Sequence, residues 1–453
     1  MLARSPNSIP ENDNNLVKDN SSVADTLRLV EKKFKFPFLP TSGPNVEDLG
    51  HYAGYYLLPN AGGARMFYFF FESRNDKKND PIVIWLSGGP GVSGSIALFY
   101  ENGPFHIAED LSLIWIEYGW DKVSNIIYVD QPIGTGFSYT NNDNDKIRDN
   151  QIDISNDLYN FLQEFFQKHP EFIENEFFIT GQSYAGHYAP ALTSRILQGN
   201  NENKKIYIKI KGFAVGNGLT NTGIQYPTIP RYAWHHEVIK ESNYLYMKEH
   251  LVPDCESSIE DCDDTGKEDD CITAYDDCIE IVSALRNFAG NRNFYDIRKQ
   301  RIGTSNYDFS NMEKFLNKQL VKKALGVEKP FVHLNETIYD AMIGDYVKNL
   351  DVGIPDLLKN DIKVLIYVGD QDLICNWVGN LKWVSKMEWD GKKGFKEAPF
   401  VPFLVDGVKK GWMSSYGPLT FIRINKAGHM VPMDQPRVAF HMIRSWMKGE
   451  PIK

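Results

Sequence analysis

Seven apolar runs constrain this chain more than any other feature: RMFYFFF, PIVIWLS, NIIYVD, EFFIT, IKGFAVG, IKVLIYVG and LTFIRIN. They are continuous rather than alternating, the pattern of strands covered on both faces and hence of a mostly parallel sheet. Helical segments lie between several of them. In NDLYNFLQEFFQKHPEF, residues Leu158, Phe161, Leu162, Phe165 and Phe166 recur at three- and four-residue spacing, which makes one apolar face. The closing stretch PRVAFHMIRSWMKG has the same spacing. Strands alternating with helices predict an α/β fold. The alternation stops between about Thr220 and Val352, where the runs are helical and no central strand is evident. Residues 220–352 therefore read as an insertion, a cap, in a body made of 41–219 and 353–453. Residues 1–40 read as a disordered or propeptide-like segment. Its start, MLARSPNSIPENDNNLVKDNSS, has no apolar stretch of the signal-peptide kind.

Composition enters by exclusion. A net charge of −10 without a basic block argues against nucleic-acid binding. No apolar run approaches the ~18–20 residues of a membrane-spanning helix. Four cysteines, Cys255, Cys262, Cys271 and Cys278, are spaced by 7, 9 and 7 residues in an acidic stretch. Four cysteines permit three pairings. The symmetric spacing suits a nested pair, Cys255–Cys278 outside Cys262–Cys271. Zinc sites usually carry two cysteines two to four residues apart, a spacing absent here, so no metal is expected. Disulfides indicate an oxidising compartment. Asn20-Ser-Ser and Asn335-Glu-Thr are glycosylation sequons. Cys375 is left as a free thiol.

The chemistry concentrates where strands end. In FFITGQSYAGHYAP a buried run ends at Gly181-Gln182-Ser183-Tyr184-Ala185-Gly186 and a helix begins. A strand, Gly-x-Ser-x-small-Gly and a helix make the arrangement of a nucleophile elbow. The turn is tight, so the residues two before and two after the serine must be small, as Gly181 and Ala185 are. A base and an acid should follow in the chain order serine, aspartate, histidine. Asp370 and Asp372 follow IKVLIYVG, and His429 follows LTFIRIN; chain order does not choose between the aspartates. WLSGGPGVSG, from Trp85 to Gly94, is a glycine-rich turn after another buried run. The amides of Gly89 and Tyr184 are the candidates for an oxyanion hole.

Taken in order, WLSGGPG, ENGPF, VDQPIGTGFSY, GQSYAGHYAP, GNGLT, GDQDLICNWVGN and AGHMVPMDQP resemble the signature blocks of the serine carboxypeptidases, nearest to plant members. The blocks run from about Trp85 to Pro436. The resemblance implies an α/β-hydrolase fold and the removal of C-terminal residues from peptides or proteins at acid pH. It implies a vacuole, a lysosome-like compartment or secretion, and no cofactor; the sequence leaves the oligomeric state open between a monomer and a homodimer. It makes Ser183 the nucleophile, His429 the base and Asp372 the residue that orients it. Gly89 and Tyr184 become the oxyanion hole. Ser87, Gly88, Glu101 and Gln182 become the site for the substrate's terminal carboxylate, with Trp85 and Cys375 at the substrate pocket. The nested cysteine pairs become disulfides of the insertion. Three positions depart from the family pattern. Gln182 replaces a glutamate, Ser87 an asparagine, and Val92 a cysteine that would form a long-range bridge. Some relatives are acyltransferases that use glucose esters; they usually carry aspartate before the serine, and SYAG is peptidase-like. A catalytically inactive scaffold is the third alternative, against which all three triad positions are filled.

Overall fold

A computed structural model describes residues 28–39, 49–58, 63–140, 147–203, 205–303 and 305–452. The strands are β1 (Leu29–Lys33), β2 (His51–Leu57), β3 (Arg65–Phe71), β4 (Ile82–Leu86), β5 (Phe105–Ile107), β6 (Leu113–Trp115) and β7 (Asn125–Val129). They continue as β8 (Phe177–Gln182), β9 (Ile210–Gly216), β10 (Lys363–Gly369), β11 (Val401–Val405), β12 (Val408–Tyr416) and β13 (Leu419–Ile424). Eleven of them form one sheet in the order β1-β2-β3-β7-β4-β8-β9-β10-β13-β12-β11, and β5 pairs with β6. From β7 to β13 neighbouring strands run parallel. Both margins run antiparallel.

Each of the seven apolar runs is a strand of this sheet, and the reason is double burial. Along β4, Ile82, Ile84 and Leu86 point into one core with α1 (Gln151–Lys168) and α2 (Ala185–Glu202). Val83 and Trp85 point into a second core with Met442, Ile443 and Trp446 of the helix Pro436–Lys448. Neither face meets water, so no alternation is needed. Asn150 caps α1, its Oδ1 accepting from the Asp153 amide at 2.9 Å.

Sequence reading misses the strands that lie at margins. β12 (VKKGWMSSY) exposes much of both faces and carries no apolar signal. β1 is LVEKK, with Leu29 buried and Glu31 paired to Gly54 of β2. This corrects the expectation for residues 1–40. Leu29–Lys33 is ordered strand, and Phe36 is buried against Phe69, Phe99 and Phe315. Aromatic burial pulls this segment onto the body, whereas 1–27, with the Asn20 sequon, lie outside the described residues.

Between β9 and β10 the described elements are all helical. Helices Val252–Thr265 and Glu268–Phe288 turn back on one another at Gly266, which sits at φ +63°. Disulfides Cys255–Cys278 and Cys262–Cys271 close the nested pairing across them, and Cys375 is free and buried. Cross-linking residues 23 apart stabilises by about 3 kcal/mol through the unfolded chain. Asn335 caps a short helix, and its amide donates to Gly134 O at 2.9 Å, so the nitrogen a glycan would need is engaged. No helix among the described residues is long and apolar enough to cross a membrane.

Candidate active site

The elbow is held by contact as much as by conformation. Ser183 lies at φ +59°, in the left-handed region, between the end of β8 and the start of α2. Its amide donates to Gly216 O at 3.1 Å, and its carbonyl accepts from Gly186 and Leu219, both at 2.9 Å. A Cβ on Gly181 would lie 2.3 Å from Leu86 O and 2.6 Å from Ala185 Cβ, which is why small residues flank the serine. A Cβ on Gly186 would lie 2.2 Å from Leu219 O. His187, one turn into α2, is fully buried with Nδ1 2.8 Å from Leu219 O and Nε2 3.0 Å from Lys348 O. It stacks on Tyr184 at 4.4 Å and ties the elbow to the segment after β9.

The acid and the histidine come from the ends of β10 and β13. Asp372 is fully buried, and its Oδ2 accepts from His429 Nδ1 at 2.7 Å and Asn217 Nδ2 at 2.8 Å. Its Oδ1 accepts from the Ile374 amide at 3.2 Å. This bond puts the His429 proton on Nδ1 and leaves Nε2 as the free base. Asp370, two residues away, instead accepts from the Lys426 amide at 2.8 Å and braces the loop that carries the histidine. The imidazole of His429 stacks on Tyr295 at 4.4 Å and 15°, and its amide donates to Tyr295 O at 2.7 Å. Gly428 precedes it because a Cβ there would lie 2.3 Å from that carbonyl.

Ser183 and His429 line one cleft of about 230 Å³ together with Ser87, Gly88, Gly89, Gln182, Tyr307, Phe309 and His333. The glycine-rich turn closes against the elbow: a Cβ on Gly88 would lie 2.6 Å from the Tyr184 amide nitrogen. Asp130 anchors the same turn from below, accepting from Ser93 Oγ and from Phe137 N at 2.8 Å, and burial raises its carboxyl to about 6.

Not every candidate lines the cleft. Trp85 is fully buried, packs on Trp120 at 5.5 Å, and meets the site only through its indole N–H to Ser87 Oγ at 3.3 Å. It supports Ser87 rather than the pocket, because inward-facing residues of a doubly covered strand have no route to solvent. Cys375 is also outside the lining. Its Sγ lies within 4.8 Å of ligand atoms of Asp372 and His429, and burial, then the Asp372 charge, pushes its thiol well up. These three side chains have metal-binding atoms, but the mutual hydrogen bond of Asp372 and His429 turns those atoms toward each other. Glu101 is buried with neither carboxyl oxygen hydrogen-bonded, and burial, then the Asp434 charge, raises it well above the usual range. Gln182 reaches the cleft, and its buried Oε1 has no partner. Four contributors escaped the sequence reading: Asn217, Tyr295, Tyr307 and Phe309. Asn217 stands in GNGLT, at the end of β9, and its strand-end position was the available signal. The three aromatics lie within 220–352, where no periodic pattern marks them.

A mixed sheet, parallel through its centre and antiparallel at both margins rather than mostly parallel as the sequence predicts, whose central strand ends bring together a serine on a left-handed turn, a buried aspartate and a histidine, defines an α/β-hydrolase. Residues 40–449 match the serine carboxypeptidase family. Serine carboxypeptidase-like 49 of Arabidopsis thaliana is 51% identical over 457 residues, covering 100% of this chain and 88% of that protein. Serine carboxypeptidase 3 of Oryza sativa subsp. japonica is 51% identical over 423 residues, covering 93% of this chain and 83% of that protein. The crystal structure of Kex1, a prohormone-processing carboxypeptidase from Saccharomyces cerevisiae, superposes with a TM-score of 0.82 at 24% identity, covering 92% of this chain and 95% of that one. The chain belongs to the serine carboxypeptidase family.

Proposed function

We propose that this protein removes C-terminal residues from peptides through an acyl-enzyme on Ser183. The observation that carries the proposal is the buried 2.7 Å bond from His429 to Asp372 beside a cleft that also exposes Ser183. Ser183 Oγ attacks the last peptide carbonyl while His429 Nε2 takes the hydroxyl proton. The amides of Gly89 and Tyr184 stabilise the oxyanion. His429 hands the proton to the leaving amine, the C–N bond breaks, and a free amino acid departs. Water then attacks the ester, its proton passing through His429 to Ser183 Oγ, and the shortened peptide leaves. Asp372 stays ionised and holds the imidazole ring throughout.

We assign the terminal carboxylate to Ser87, the Gly88 amide, Gln182 and Glu101, the last as a neutral acid. A buried carboxyl donates a hydrogen bond to an anion only while protonated, so this reading favours acid pH. The apolar part of the lining, Val92, Ile96, Phe309 and Met430, favours an apolar leaving residue. Two disulfides favour an oxidising setting, a vacuole or the exterior. We read 220–352 as a cap over the strand ends. Release of an amino acid from an N-blocked dipeptide, abolished with fluorophosphonate labelling by Ser183→Ala, tests the proposal. Acyl transfer from a glucose ester without peptide hydrolysis would replace it with the acyltransferase reading, and no labelling of the native protein would replace it with a scaffold.

A further inference from the structure

A second pocket, of about 400 Å³, opens beside the helix Trp377–Lys386 and shares no residue with the cleft. Its lining is Trp377 and Leu381 from that helix, Phe400, Trp412 from β12 and Arg423 from β13. Trp412 and Arg423 are direct cross-strand partners, so both project from one face of the sheet. Four apolar side chains and one guanidinium is an unusual inventory. Among the described residues the Arg423 side chain has no ion pair and no hydrogen bond, and its buried Nε is unpartnered. The Trp377 ring lies against it, its centroid 4.8 Å from the guanidinium carbon. That contact orients the fork without using its donors. The terminal guanidinium nitrogens, which no described protein group engages, remain as charged donors for an anion. Lys409 sits at the rim, its Nζ 3.5 Å from the centroid of the Trp412 ring, and adds a second positive charge.

We infer that this pocket binds a small amphipathic anion, a carboxylate on an aromatic or branched apolar body. The carboxylate pairs with Arg423, and the body lies between Trp412, Phe400 and Leu381. The lining offers no acidic group for an ammonium. A zwitterionic amino acid, the product of the reaction proposed above, is therefore a poorer ligand than its deaminated analogue. Planar recognition by a guanidinium selects a carboxylate over an isosteric amide.

The test uses the intact protein labelled with 5-fluorotryptophan, the Trp377 and Trp412 resonances being identified from Trp→Phe variants. Titration with phenylacetate should shift both resonances saturably. Phenethylamine should leave them in place, and phenylalanine should require at least about tenfold higher concentration, the loss of roughly one charge-assisted contact. Arg423→Gln should abolish the phenylacetate response while its activity on the blocked dipeptide stays native, which shows an intact fold. Because the readout is local to these two indoles, it is independent of whether the cleft hydrolyses peptides. No shift with phenylacetate, an equal shift with phenethylamine, or an undiminished response in Arg423→Gln would each overturn the inference.

Discussion

The fold holds a histidine whose replacement should make the protein more resistant to acid. His51 lies on β2 with 1% exposure, ringed by Phe71 at 4.8 Å, Phe105 at 5.8 Å and Phe34 at 6.1 Å, and neither ring nitrogen has a partner. Burial, then the charges of Arg74 and Lys33, lowers it from 6.5 to about 3. A depressed histidine gives stability that is complete above 6.5 and is lost as pH falls toward 3, because only the unfolded chain takes up the proton. At pH 4.5 the unfolded histidine is about 2 units below its midpoint, so the loss relative to pH 7.5 is about 2.7 kcal/mol at ~1.36 kcal/mol per unit. His51→Phe removes the titration. Any packing cost of the larger ring is the same at both pH values and cancels in the comparison. Guanidinium unfolding, followed by tryptophan fluorescence at pH 7.5 and 4.5, should show the variant gaining about 2–3 kcal/mol on the native protein across that interval. Parallel losses by the two proteins would refute the reasoning, since they would mean that His51 takes up its proton in the folded state. Asp130 has the opposite sign. Its carboxyl is raised from 3.8 to about 6, so the penalty present above 6 is relieved as pH falls toward 3.8. The relief is up to about 3 kcal/mol, so one buried acid offsets much of what one buried histidine loses.

Asp372→Asn should lower kcat on a blocked dipeptide by about 10⁴-fold through the wrong imidazole tautomer. Asp370→Asn, which disturbs the bonds from the Lys426 amide and Gln371 Nε2 but none to His429, should cost less than about tenfold; comparable losses for the two would remove Asp372 from its assignment. Gly88→Ala drives a methyl to 2.6 Å from the Tyr184 amide nitrogen and 2.7 Å from Ser183 Cβ, and should lower kcat by about 10²–10³-fold with a smaller change in KM. Gln182→Glu adds a titrating acid to the cleft. Its selectivity for a free C-terminal carboxylate over the amide should fall more steeply from about pH 4 to 8 than that of the native protein. Superimposable ratios of kcat/KM would show that Gln182 takes no part in carboxylate recognition. Cys375, a buried protonated thiol, should react slowly with a disulfide reagent in the native protein and stoichiometrically in urea, as thiol counting would show.

What the sequence determined by itself is whatever short-range chemistry writes into contiguous residues. The central strands are legible because double burial leaves an unbroken apolar run. The elbow is legible because a left-handed turn under a helix tolerates only small neighbours, and Gly181 and Ala185 flank Ser183 within one five-residue stretch. The cysteine spacing favoured the pairing that the two antiparallel helices form. What only the tertiary structure decided depends on residues far apart in sequence meeting at one point. Asp370 and Asp372 are indistinguishable as text. One of them faces His429 because Asn217, from another strand, holds its carboxylate there. β1 is written in charged residues and exists because β2 offers an edge and Phe36 finds an aromatic core. Trp85, a strand residue beside the glycine turn, lies behind the site because alternation along β4 turns it into the second core. Arg423 sits in an ordinary apolar run, and only the packing of Trp377, Phe400 and Trp412 around it leaves its guanidinium without a partner. Local patterns fix which residues are buried; the packing of distant segments fixes which buried polar groups find one another.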